Sequence, residues 1–69
     1  MATQVAMIPF VERDSKDDGF FIVRAFGDAV GLTVSLRRNG DIEVFVGAQE
    51  IDALVAALGK ARAMLDRRT

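Results

Sequence analysis

Apolar and polar residues alternate along the first two thirds of the chain, and then the period lengthens. In Val30–Arg37, Val30, Leu32, Val34 and Leu36 take every second position, against Gly31, Thr33, Ser35 and Arg37. In Asp41–Val46, Ile42, Val44 and Val46 alternate with Asp41, Glu43 and Phe45. A period of two is that of a strand with one face buried. Phe20–Phe26 reads as a further strand, and Val5–Glu12 as the first of four. Pro9 cannot donate to a ladder, so the first strand belongs at an edge or carries a bulge. Arg13 to Gly19 is a polar loop. From Ala48 onward Ile51, Leu54, Val55, Leu58 and Leu65 recur at helical spacing. Gly47 serves as N-cap, Glu50 stands where a capping-box acid would, and Arg67 and Arg68 suit the negative end of the helix dipole. The pattern predicts strands over about 5–12, 20–26, 30–37 and 41–46 and a helix over about 48–67. The fold class is α+β: a four-stranded antiparallel meander followed by one C-terminal helix packed on one face (β-β-β-β-α).

The stretch Arg37-Arg38-Asn39-Gly40-Asp41 sets the register of the last two strands. A two-residue Asn39-Gly40 loop would set Leu36 opposite Glu43 and mix both faces. A three-residue Arg38-Asn39-Gly40 loop, with Gly40 left-handed, slips the register by one. Leu36 then meets Ile42, Val34 meets Val44 and Leu32 meets Val46. The opposite face pairs Arg37 with Asp41, Ser35 with Glu43 and Thr33 with Phe45. The second reading segregates the faces and is preferred. On the same test Phe21, Val23 and Ala25 face the helix, since turning Phe20's side inward would bury Arg24 without a partner. The outer face then carries Phe20, Ile22, Phe26 and Phe45, with Arg24 and Arg37 among them. An apolar patch rimmed by charge marks an interface. The plainest use of such a face is to pack against a second copy with no further role.

Ala53, Ala57, Ala61 and Met64 form a second stripe on the helix. Small residues let helices approach closely, so this stripe is an alternative dimer surface, although Ala is also simply the best helix former. Gly59, inside the helix, is either a close-packing point or a tolerated glycine.

Composition narrows the choice. The chain has 69 residues, enough for one domain over 1–69, and is 51% hydrophobic. Hydrophobic gain and ordering cost both come to about 100 kcal/mol, so the margin is thin. With no Cys and no His, disulfides, thiolate sites and imidazole-rich metal sites are excluded. Self-association remains, and a homodimer is expected. Nine Lys and Arg against ten Asp and Glu disfavour nucleic acid, whose binding rests on phosphate neutralisation. The N-terminal MATQVAMIPF has neither the basic segment nor the long apolar run of a signal peptide, and no apolar stretch is long enough to span a bilayer. The expectation is a cytoplasmic protein with no membrane association.

Motifs for chemistry are weak. Asp14 to Gly19 lacks calcium-loop spacing, with Lys16 at the third position and Ala25 at the twelfth. Gly27, Gly31 and Gly59-Lys60 lack the pattern of a phosphate loop. Ser15 and Ser35 have no His to activate them. No cofactor is expected, and the chain is not expected to be an enzyme. The element order is similar to that of dimeric single-strand-binding coactivators of the Whirly type; the similarity is one of inferred topology and carries no residue over. The expected function is a homodimeric protein-interaction module, an adaptor, regulator or inhibitor working through its outer sheet face. The alternative is a single-stranded nucleic-acid binder that stacks bases on Phe20, Phe26 and Phe45, with Arg24 and Arg37 on phosphates.

Overall fold

The computed structural model describes residues 2–66, and the side chains of 2–65. Strands β1 (Ala2–Val11), β2 (Asp18–Phe26), β3 (Ala29–Leu36) and β4 (Gly40–Val46) form one antiparallel sheet in chain order, followed by α1 (Ala48–Asp66). The α+β meander with a C-terminal helix is therefore the architecture. Arg67 and Arg68, expected in the last helical turn, lie outside the described residues.

β1 is an edge strand, as Pro9 requires, and its ladder shifts between Gln4 and Ala6. The extra residue, Val5, restores the alternation after the bulge. It begins at Ala2, earlier than its apolar pattern suggests, because the ladder with β2 runs on to pair Ala2 with Phe26. At the other end Gly47 N–H donates to the Glu50 carboxylate at 2.9 Å, and Ile51 N–H donates to Gly47 O. That half of a capping box starts the helix where the sequence marks it.

The β3–β4 register corrects the expected one by two residues. Val34 pairs with Ile42, Leu32 with Val44, Ser35 with Asp41, Thr33 with Glu43 and Gly31 with Phe45. Arg37 does not meet Asp41, and Phe45 does not meet Thr33. The loop is Arg37-Arg38-Asn39, and Gly40 opens β4 with φ at 87°. The cause is a neighbouring loop. Arg37 N–H donates to Asp18 O, and Arg38 N–H donates to the Asp17 carboxylate, both at 2.9 Å. Asn39 Nδ2 donates to the same carboxylate oxygen at 3.2 Å. Asp17 is only 3% exposed, so this residue of the polar loop is a buried tie between two hairpins, not a solvated one.

That β1–β2 loop is itself built on Glu12. Glu12 N–H donates to Asp17 O, Lys16 N–H donates back to Glu12 O, and Lys16 takes the left-handed conformation at φ 63°. The Glu12 carboxylate accepts from Ser15 N–H at 2.8 Å and Asp14 N–H at 3.1 Å. Backbone donors from Asp14 and Ser15 favour the charged form and lower its pKa from 4.5 to about 2. A lowered carboxylate stabilises the fold above its ordinary pKa, and that contribution is lost as pH falls through the folded value. A site-resolved carbon NMR titration should place the Glu12 midpoint near 2. A midpoint near 4.5 would mean that the two loop hydrogen bonds do not form in solution.

The helix leaves most of the sheet uncovered. Its principal contact is with β3, and its first apolar residue, Ile51, is half-buried. Leu54, Val55, Leu58, Met64 and Leu65 are exposed, and so are Ile8, Phe21, Val34, Ile42 and Val44 on the sheet. The face expected to lie beneath the helix is thus largely open. α1 starts one residue after edge strand β4, and its 19 residues span about 28 Å. The Cα envelope is 42 × 29 × 15 Å, a thin slab. Among the described residues no apolar side chain is fully buried.

Candidate functional site

Cross-strand partners share a face, so the ladders divide the sheet's residues into two sets. One face carries Thr3, Ala6, Ile8 and Phe10 of β1, with Phe21, Val23 and Ala25 of β2. It continues with Val30, Leu32, Val34 and Leu36 of β3, and with Ile42, Val44 and Val46 of β4. It holds no ionisable residue. The Phe10 and Phe21 rings stack on it with centroids 4.3 Å apart.

The other face brings together Phe20, Ile22, Arg24 and Phe26 of β2 with Phe45 of β4. Of the residues expected there, only Arg37 is displaced. It sits in the loop, with its guanidinium 3.7 Å from the Asp18 carboxylate, and both side chains are well solvated. Such an exposed pair adds little stability.

The face is divided into zones. In the middle, Arg24 Nη1 donates to Glu43 Oε2 at 2.6 Å, and Thr33 Oγ1 donates to the same oxygen at 3.1 Å. Toward the loop end, Ser35 Oγ donates to Asp41 at 2.7 Å. The opposite end is aromatic. Phe45, 58% exposed, lies across from Gly31, and its ring would come within 2.9 Å of a Cβ built there. Only glycine leaves the ring that seat. Phe45 also lines a shallow depression with Phe26, Gly27, Asp28 and Ala29. Phe20 lies toward the opposite end, opposite Pro9 and Ser35.

Sequence reasoning did not find the Arg24–Glu43 pair, because the expected register placed Glu43 opposite Ser35. Nor did it find Gly31 as the seat of Phe45. The signal was present: a glycine inside a strand often marks a close approach by a neighbouring group. On the helix, Ala53, Ala57, Ala61 and Met64 are exposed, and a Cβ at Gly59 would meet nothing within 4 Å. Within the chain, therefore, Gly59 is not a close-packing point.

Among the described residues, no group of three or more acidic, His or Cys side chains converges to hold a metal ion. None of their helices is long and apolar enough to cross a membrane. No protein-family model matches this chain, and neither a curated protein nor a solved structure matches it significantly.

Proposed function

We propose that the chain is a non-enzymatic, homodimeric protein-interaction module that docks a partner on the face carrying Phe20, Ile22, Arg24, Phe26 and Phe45. The observation that supports this reading best is the aromatic end of that face. Phe45 and Phe26 flank a shallow depression while standing about half exposed. Large aromatics beside a small concavity are the usual anchors of protein interfaces. The polar residues nearby fit a rim.

The same geometry weakens the single-stranded nucleic-acid reading. Base stacking needs free cations alongside the rings to meet phosphates. Arg24 is engaged by Glu43, and Arg37 lies beside Asp18. Asp41 and Glu43 add negative charge to the face.

Phe45→Asp tests the docking reading. The ring is more than half exposed, so the fold should survive with a change of about 1 kcal/mol or less. Affinity capture from the native host should recover a specific protein with the wild-type chain and lose it with the variant. Recovery that is equal for both would remove this face from the docking role. Titration with labelled single-stranded oligonucleotides should show no binding even at low salt.

A further inference from the structure

The face without charge is the feature that the docking reading leaves unused. A domain needs a second layer to cover an apolar sheet, and α1 supplies only a fraction of one. The shortfall can be measured. A compact 7.5 kDa chain exposes about 4,200 Å² by surface scaling, whereas this chain exposes 5785 Å². The excess is about 1,500 Å². The radius of gyration points the same way: 13.8 Å against about 11 Å for a compact chain of this length.

The size of that excess indicates what covers it. Permanent dimers bury about 1,000 to 2,500 Å² per chain, through surfaces that resemble a core cut in half. The plane of a four-stranded face of this length is only about 500 Å², so the sheet alone does not account for the difference. Leu54, Val55, Leu58 and Leu65 on the helix, 40 to 64% exposed, belong to the same deficit. Recognition of a foreign partner draws on complementary charge and polar groups. From Thr3 across to Val46 this face offers a single polar side chain, Thr3, and no charge. A surface of that kind is complementary to itself, as a two-fold interface requires.

We propose that a second copy of this chain closes the uncharged face. The two faces meet about a two-fold axis, and the exposed apolar stripe of each helix lies within the same interface. The second layer of the fold is therefore intermolecular. This inference rests on the dimer of the proposed function and assigns its surface; the Phe45 face stays outward and free for a partner.

The test uses the intact chain. Sedimentation equilibrium at micromolar concentration should show a dimer, and the thermal midpoint should rise with protein concentration. In a mixture of isotope-labelled and unlabelled chains, intermolecular NOEs should connect the methyls of Val34, Ile42 and Val44 with methyls of the other copy. A stable monomer overturns the proposal. So does a dimer whose intermolecular NOEs come only from Ile22, Phe26 and Phe45. Ile42 is 70% exposed within one chain, so Ile42→Lys costs that chain little by itself. In the dimer it buries an unpaired charge and should raise Kd at least about 30-fold. An unchanged Kd overturns the proposal, whereas Phe45→Asp should leave Kd unchanged. Loss of the dimer and loss of the docked partner are thus read by different variants, so the dimer surface and the docking role of the Phe45 face can fail separately.

Discussion

Gly19→Ala is expected to destabilise the protein by about 3 kcal/mol and to lower Tm by about 15 °C at fixed protein concentration. Gly19 lies early in β2, opposite Phe10 on one side and Leu36 on the other. A Cβ there would fall 2.6 Å from the Ser35 carbonyl oxygen, 2.8 Å from the tip of the Phe10 ring and 2.9 Å from a Leu36 methyl. A side chain can rotate away, but the carbonyl belongs to the β2–β3 ladder and cannot move without parting the strands. The Phe10 ring is held as well, because it stacks on Phe21. A domain with a thin margin feels such overpacking strongly. The double variant Gly19→Ala with Leu36→Ala separates the causes. It removes the methyl contact and keeps the carbonyl contact, so it should recover none of the loss. Recovery to wild-type Tm would show that side-chain crowding, and not the backbone, is responsible.

Asp17→Ala should cost about 2 to 3 kcal/mol in urea denaturation. One buried carboxylate oxygen accepts from Arg38 N–H and from Asn39 Nδ2. Alanine leaves both donors without that acceptor, and one of them is backbone. Hydrogen bonds to a charged acceptor contribute more than neutral ones. Asp17→Asn keeps an acceptor oxygen and should lose about half as much. Hydrogen exchange at the Arg38 amide should quicken in Asp17→Ala before the rest of β3 is affected. A loss below about 0.5 kcal/mol would mean that the two hairpins are held together by their strands alone.

Both effects show where sequence reading reached and where it stopped. The order of elements, the edge position of β1, the start of α1 at Gly47–Glu50 and the composition of each sheet face follow from periodicity. The outward placement of Arg24 follows from the cost of burying a charge. The partner of each side chain across the β3–β4 ladder does not follow. The expected register and the observed one differ by two residues, and such a slip returns every side chain to the same face. Alternation therefore rejects the odd slip but is blind to the even one. The contact that separates the two even registers is made by Asp17, 20 or more residues away in the chain. That separation also explains why the local run of charges does not mark Asp17 as buried.

The candidate site divides in the same way. Phe20, Ile22, Phe26 and Phe45 were legible as one face, because a period of two dictates it. The depression beside Phe45, its seat over Gly31 and the Arg24–Glu43 pair depend on which residues are neighbours, and hence on the register. The helix is the other case. Its apolar spacing shows that it has something to cover, but not whether that surface lies in its own chain. By itself the sequence determined the elements and the two faces of the sheet, because backbone sterics and hydrophobic alternation act locally. Only the tertiary structure decided the pairing across the last hairpin, through a buried carboxylate reaching from another loop. It also decided how little of the sheet the helix contacts, since where α1 packs is a matter of tertiary contacts and not of period.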